Sequence, residues 1–219
     1  MTEPYIIVPV FNGEKYIESF IERVDHKWQN NLIFVNDGSN DNSEEILNNK
    51  NLFVVNHKTN QGKGGAIKSA FNIIRRQNGD SVITIDIDLQ HPPELLNKFS
   101  DIPNKTILLG YRFNRKSMPV LRKFSNFMTS LLISVRSGNV IKDSQCGYRG
   151  FKINIFDQIT CFENGFHFES ELLMKASLAG LKVNHVNIPT IYGSQVSAMN
   201  HVSDSLKFIK MWFQSFLWT

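Results

Sequence analysis

Apolar residues recur along the first half of the chain in two alternating rhythms. Continuous runs that stop at a turn mark buried strands, and i, i+3, i+4, i+7 spacing marks helices facing a core. Tyr5–Val10 is such a run, and Ile17, Phe20, Ile21 and Val24 follow it with helical spacing. Leu32–Val35 and Leu52–Asn56 predict a second and a third strand, with a short helix over Ser43–Asn48 between them. Gly65–Gln77 predicts a helix with Ile67, Ala70, Phe71 and Ile74 on one face. Val82–Ile87 reads as a fourth strand and Thr106–Leu109 as a fifth. Between them Pro92-Pro93 starts a helix, since proline is tolerated in a first turn. The second half is less regular. Helices are expected over Val120–Val135, Phe166–Leu178 (ended by Gly180) and Leu206–Leu217, and a strand over Lys182–Pro189. Alternating strands and helices predict an α/β fold with a mostly parallel central sheet flanked by helices. No repeat, low-complexity tract or linker interrupts the pattern. Residues 1–219 are therefore expected to form a single domain, with 204–219 as an amphipathic aromatic helix.

In open parallel sheets, ligands bind beyond the carboxyl ends of the strands. Here those ends read Phe11-Asn12-Gly13-Glu14, Asn36-Asp37-Gly38-Ser39, Asn60-Gln61-Gly62-Lys63-Gly64-Gly65, Asp86-Ile87-Asp88-Leu89-Gln90-His91 and Gly110-Tyr111-Arg112. Turn chemistry explains any one of them. Their convergence on one rim predicts a binding site. Asp86 and Asp88, two apart at the expected end of a strand, point the same way and suit a hard divalent cation that also holds substrate phosphates. Gln90 and His91 are candidate further ligands; for Asp86 and Asp88, a solvated loop pair or a cap on the Pro92 helix is the structural alternative. The Gly62–Gly65 loop opens a helix, where backbone N–H groups and the helix dipole favour an anion. It has neither the Walker spacing nor the dinucleotide fingerprint.

Composition adds less than charge placement does. The 219 residues are 42% apolar and 20% charged, which excludes a disordered chain, and the net charge of +4 is modest. Yet Ile102 to Lys142 contains no Asp or Glu, while it holds Lys105, Arg112, Arg115, Lys116, Arg122, Lys123, Arg136 and Lys142. Such a one-signed stretch interleaved with apolar residues suits an anionic headgroup or a membrane surface. No aromatic RNA-stacking motif accompanies it, so nucleic acid is not an expected partner. Cys146 and Cys161 form no disulfide framework and fit a reducing compartment. Cys146 is expected to pack, and His57, His185 and His201 lack ligand spacing. No signal peptide or membrane span is expected. The 17 Phe are many, and Phe208, Trp212, Phe213, Phe216 and Trp218 gather beside Lys207 and Lys210. A membrane-interface helix, a core helix and a dimer-forming helix all fit that pattern.

Several motifs, in order and spacing, carry a family resemblance. They are Val8-Pro9-Val10-Phe11-Asn12, Val35-Asn36-Asp37-Gly38-Ser39 and Asn60-Gln61-Gly62-Lys63-Gly64-Gly65-Ala66. Asp86-Ile87-Asp88-Leu89-Gln90-His91-Pro92-Pro93-Glu94, Gly110-Tyr111-Arg112, Arg122-Lys123-Phe124-Ser125 and Asp143-Ser144-Gln145-Cys146-Gly147-Tyr148-Arg149 follow. Over roughly residues 4–192 the chain resembles the family 2 glycosyltransferases of GT-A fold, and most of all their polyprenyl-phosphate branch. It departs from that branch at Gly13, where glutamate is common, and at Ile87, where a small residue is usual.

The resemblance implies an inverting transfer of a sugar from a UDP- or GDP-sugar to a polyprenyl (dolichyl or undecaprenyl) phosphate. Pro9, Phe11, Asp37, Lys63 and Asp86 would bind the donor, and Asp86, Asp88 and Gln90 would hold Mg²⁺ or Mn²⁺. Arg112, Arg122, Ser125 and Arg149 would face the acceptor phosphate, which suits the planar fork of arginine. Asp88, Arg112, Arg122 and Glu169 are the expected catalytic residues. The chain is then expected at the cytoplasmic face of a membrane, with a homo-oligomer or an integral membrane partner as further expectations. In relatives the loop holding Ser194, Ser197, Asn200 and His201 closes over the donor. Two other functions fit the same residues. A family 2 enzyme acting on a sugar hydroxyl needs a base, for which Glu169 is the candidate, although an acid at a helix N-terminus is also plain dipole chemistry. A silent nucleotide-sugar or membrane-binding module is the third, and intact Asp86, Asp88 and Gln90 argue against it.

Overall fold

A computed structural model describes residues 3–113, 118–189, 191 and 201–218, with backbone alone for 201–204. Seven strands form one sheet: β1 (Tyr5–Val10), β2 (Leu32–Asn36), β3 (Phe53–Asn56), β4 (Ser81–Thr84), β5 (Thr106–Arg112), β6 (Arg149–Lys152) and β7 (Lys182–Ile188). Their order is β3-β2-β1-β4-β6-β5-β7. All neighbours are parallel except around β6, which runs antiparallel to both β4 and β5. The helices are α1 (Glu14–Arg23), α2 (Ser43–Asn48), α3 (Lys63–Arg76), α4 (Val120–Ser137), α5 (Phe168–Leu178) and α6 (His201–Gln214).

The centre of the sheet is apolar because its strands are covered on both faces. Ile6, Ile7, Val8 and Val10 of β1 are wholly buried, as are Phe34 and Val35 of β2 and Val82 and Ile83 of β4. Helix α3 lays Ile67, Ala70, Phe71 and Ile74 on this surface, as its spacing predicts. Helix α5 is buried nearly all round and has no polar face to show.

Two expectations need correction, and one strand is unexpected. The segment after Pro92 is a 3₁₀ helix over Pro93–Phe99. Strand β4 ends at Thr84, so Asp86 and Asp88 sit in the turn beyond it, and Leu89 there takes a positive φ of 59°. The strand alternation invoked for that pair does not apply. Finally, β6 is unpredicted: at four residues, Arg-Gly-Phe-Lys, it is too short to show a period.

The chain runs outward from β1 to β2 and β3, then returns to place β4 on the other side of β1. This reversal opens a crevice at the carboxyl ends of β1 and β4, where ligands of open sheets bind. Because β6 is antiparallel, its first residue pairs with the last of β4 (Arg149 with Thr84), and the segment leading into β6 reaches the same crevice. On the β2 side, Gly38 turns with φ +67°, and a Cβ there would lie 2.6 Å from the Thr59 carbonyl carbon. Gly38→Ala is expected to cost about 2 kcal/mol in urea unfolding, since alanine meets both a left-handed φ and fixed backbone.

Candidate functional site

A cavity of about 790 Å³ opens at the crevice. Pro9, Phe11 and Asp37 line one end; Arg122, Ser125 and Gln145 line another; Lys63, Asp86, Asp88, Gln90 and Glu169 lie between.

The first end rests on Asp37. Its carboxylate is almost fully buried and accepts the backbone N–H groups of Gln61 (2.9 Å) and Gly62 (2.8 Å). His57 Nδ1 lies 2.7 Å from the same carboxylate and its Nε2 2.9 Å from Ser69 Oγ. Asp37 thus fixes the glycine loop that starts α3, and His57 bridges it to Ser69. Gly62 has φ +85°, and its Cβ would lie 2.6 Å from the Asn164 carbonyl oxygen, so the loop has no room for a side chain there.

The first residue of α3, Lys63, sends its ammonium into the centre of the site. Nζ lies 2.5 Å from Asp86 Oδ1 and 2.9 Å from Glu169 Oε1. Burial opposes the charge on Lys63, but Asp86 and then Glu169 outweigh it and hold the ammonium above its ordinary pKa. Burial would likewise raise the Asp86 carboxyl; the Lys63 ammonium reverses the effect and keeps it below the usual carboxylate range. Asp88 behaves differently. Burial, and then the neighbouring Asp86 charge, push its carboxyl up to about 6. Its Oδ1 accepts the Gln90 N–H at 3.0 Å.

This donor set fits a divalent cation that shares its coordination with a substrate. Two half-buried carboxylates, Asp86 and Asp88, face the cavity two residues apart, an arrangement of negative charge that a dication would relieve. Among the described residues no group of three or more His, Cys, Asp or Glu gathers to form an all-protein cage. Magnesium-type sites commonly use one or two carboxylates plus substrate phosphates. His91, considered as a ligand, is buried behind the site instead, 3.7 Å from Cys146 Sγ, and burial holds its imidazole near pKa 4. Cys146 is fully buried packing, with burial raising its thiol to about 12.

Two arginines expected at an acceptor phosphate point inward. Arg112 is 1% exposed and forks onto Asp143, Nε to Oδ2 at 2.7 Å and Nη2 to Oδ1 at 2.6 Å. Arg149 is equally buried and donates to the carbonyls of Cys146, Ser144 and Glu169. Neither lines the cavity; their guanidinium groups hold the segment before β6 and the ends of β5 and α5. Arg122 and Ser125, one helical turn apart on α4, do line it. Sequence reasoning missed Gly147. Its Thr84-bonded carbonyl fixes it beside the site, and a Cβ there would lie 2.3 Å from Asp86 Oδ2 and 2.7 Å from Lys63 Nζ. Arg115, Lys116, Ser194, Ser197 and Asn200, and the side chain of His201, lie outside the described residues.

Residues 5–160 match the family model for glycosyl transferase family 2. The chain belongs to that family. It is a glycosyltransferase. Among relatives, a protein of Methanocaldococcus jannaschii with no assigned function is 28% identical over 87% of this chain and 82% of its own. A UDP-N-acetylglucosamine–dolichyl-phosphate N-acetylglucosaminyltransferase of Methanococcus voltae is 28% identical over 86% of this chain and 85% of its own. An undecaprenyl-phosphate 4-deoxy-4-formamido-L-arabinose transferase of Proteus mirabilis is 29% identical over 72% of this chain, which spans only 52% of that enzyme. The fold is the GT-A-like fold of this family. It matches glucosyl-3-phosphoglycerate synthase of Mycobacterium tuberculosis bound to phosphoglyceric acid, with TM-score 0.72, 17% identity and coverage of 96% and 79% of the two chains. The same synthase, solved with Mn²⁺, UDP and glucosyl-3-phosphoglycerate, matches at TM-score 0.65 and 18% identity, over 97% of this chain and 78% of that one.

For this glycosyltransferase the two arginine environments make opposite predictions. Arg112→Ala takes the guanidinium fork off the buried Asp143 carboxylate, leaving it the Asn126 amide and a backbone N–H, and is expected to cost about 3–5 kcal/mol in urea unfolding. Arg122→Ala, on a half-exposed side chain, is expected to cost under about 1 kcal/mol while lowering turnover.

Proposed function

We propose that the protein transfers a sugar, with inversion, from a nucleotide-sugar to a polyprenyl phosphate at a membrane surface. The observation that carries this reading is helix α4, whose amphipathy is reversed. Next to the site its core-facing side is polar, Asn126 donating to Asp143 at 2.8 Å and Ser130 bonding Ser144, and only Ile133 further along buries an apolar side chain fully. Its outer side is apolar: Val120, Phe124, Phe127, Leu131 and Val135, at helical spacing, are all exposed. Helix α6 packs beside it. Trp212 donates to the Leu132 carbonyl, and Arg136 bonds Ser215 and stacks on Phe216. One face of α6 buries Phe208 and Met211, while Leu206, Ile209 and Phe213, and Phe216 in the 3₁₀ turn that follows (Ser215–Leu217), stay exposed beside Lys207 and Lys210. A monomeric soluble protein rarely shows so long an apolar surface. Flanked by lysines, it suits the acyl and headgroup boundary of an anionic membrane. Arg122 and Ser125 of the same α4 line the catalytic cavity, so a phosphate on a lipid lying in that boundary would meet the donor there.

No helix of the described residues is long and apolar enough to cross a membrane, so the association proposed is peripheral. Two named relatives act on dolichyl or undecaprenyl phosphate, which supports the acceptor class.

In this reading Pro9 and Phe11 bind the nucleoside, Asp37 sets the loop beneath it, and Arg122 with Ser125 bind the acceptor phosphate. Asp86, Asp88 and Gln90 would hold Mg²⁺ or Mn²⁺, which when bound neutralises the charge of the departing nucleoside diphosphate. A phosphate monoester, with a second pKa of about 6, is already anionic near neutrality and needs positioning more than a base. Glu169 is consistent with that, since its Oε1 lies 2.9 Å from the Lys63 ammonium. The hydroxyl-acceptor alternative would need that carboxylate released.

Purified protein incubated with labelled UDP- or GDP-sugars, polyprenyl phosphate and Mn²⁺ is expected to move label into the lipid phase. Transfer only to water-soluble glycans would overturn the acceptor assignment. On vesicles, the wild type is expected to co-sediment with anionic lipid, and the doubly substituted Phe124→Ser, Phe213→Ser protein to lose about tenfold in binding without unfolding, since both rings are exposed. Equal sedimentation of both proteins, or a stable dimer indifferent to vesicles, would sink the membrane surface.

A further inference from the structure

The Lys63 ammonium occupies the position from which a cation neutralises Asp86. It touches that carboxylate at 2.5 Å, is held from the other side by Glu169 at 2.9 Å, and is covered by Gly147, where even one methyl group would crowd both Lys63 and Asp86. Its backbone is fixed by the Asp37 clamp on Gln61 and Gly62, but its four-carbon stem carries the only movable cation touching Asp86 among the pairs described. A compact ammonium on a flexible stem is suited to exchanging partners, unlike the forked and buried Arg112 and Arg149.

We propose that Lys63 is a tethered competitor for the divalent ion, which keeps Asp86 occupied until a nucleoside diphosphate arrives to draw the ammonium away. The proposal rests on the reading of Asp86 as a metal ligand and adds an order to it. A dication approaching Asp86 without a donor meets a like charge a few ångströms from its ligand, and that repulsion is large in a half-buried site. A diphosphate brings negative charge that satisfies both cations together. Lys63 then contacts the donor, Asp86 is released to the metal, and Glu169 limits how far the ammonium travels. The device suppresses metal capture without substrate, and it makes metal and donor binding mutually dependent, as linkage requires.

The test is Mn²⁺ binding followed by electron paramagnetic resonance, with no turnover involved. Wild-type protein is expected to bind Mn²⁺ alone weakly and to tighten when UDP or GDP is added. Lys63→Met is expected to bind Mn²⁺ alone at least about tenfold more tightly than wild type and to gain less from the diphosphate. Lys63→Arg, which keeps the charge, should stay near wild type. Should Lys63→Met not fold, as circular dichroism would reveal, the Lys63→Met, Glu169→Gln double variant preserves the charge balance and is expected to show the same gain. Unchanged or weaker Mn²⁺ binding by a folded Met variant, with wild type still tightening on UDP or GDP, overturns the competition alone. If no protein binds Mn²⁺ even with either nucleotide, the metal reading of Asp86 and Asp88 falls as well.

Discussion

One buried carboxylate ties the catalytic rim together. Asp143 is wholly buried and accepts the backbone N–H, Nε and Nη2 of Arg112 and the side-chain amide of Asn126. Through them it joins the end of β5, the inner face of α4 and the segment leading into β6. Such a carboxylate is costly to bury and stays only because each lone-pair direction is met by a donor. Its reach has consequences. The segment after it carries Gln145 into the cavity and Gly147 against Asp86, and ends in Arg149, which anchors the Glu169 carbonyl. The antiparallel course of β6 converts one ion pair into the wall of the site.

Much of the fold is legible in the sequence because burial on both faces writes long apolar runs. Strand β1 and helix α2 begin and end where the runs do. The mostly parallel sheet follows from the alternation that produces crossovers. Strand β6 is illegible for the opposite reason: its four residues are set by partners on both sides and carry no period of their own. Legibility of the site divides the same way. Glycine loops and strand-end carboxylates are local signals, and Pro9, Phe11, Asp37, Lys63, Asp86, Asp88 and Gln90 do share one cavity. Pairings across the chain leave no local trace. The acid-free stretch ends at Lys142, and the next residue, Asp143, is the counter-ion of Arg112, 31 positions earlier. Read as a linear charge pattern, Arg112 is a free cation aimed at a phosphate. In three dimensions it is neutralised, and Arg136 is spent on Ser215 and Phe216.

This redistribution narrows where an acceptor anion meets the protein. Of the arginines assigned to it, Arg122 is the one that lines the cavity among the described residues. Lys63 lies instead against Asp86 and Glu169. The site therefore separates its cations: a movable ammonium among Asp86 and Glu169, and a guanidinium on α4 beside Ser125. A transfer between two phosphates needs that division, since both anions must approach one anomeric carbon without their charges meeting first.

The reversed amphipathy of α4 follows from the same Asp143. A helix whose inner face must supply Asn126 and Ser130 to a buried polar network has surrendered part of its apolar stripe to hydrogen bonding. In water, its bare outer row from Val120 to Val135 would be a liability with no compensating gain in the core. At a bilayer boundary the arrangement is consistent at every level: polar groups face the polar site, apolar groups face lipid, and Arg122 sits at the junction where a phosphate headgroup would lie. The polar network under α4 and the apolar surface over it are two sides of one solution. In the proposed reading it would bring a charged acceptor from a membrane up to a charged donor while neither the helix nor the lipid crosses the boundary between them.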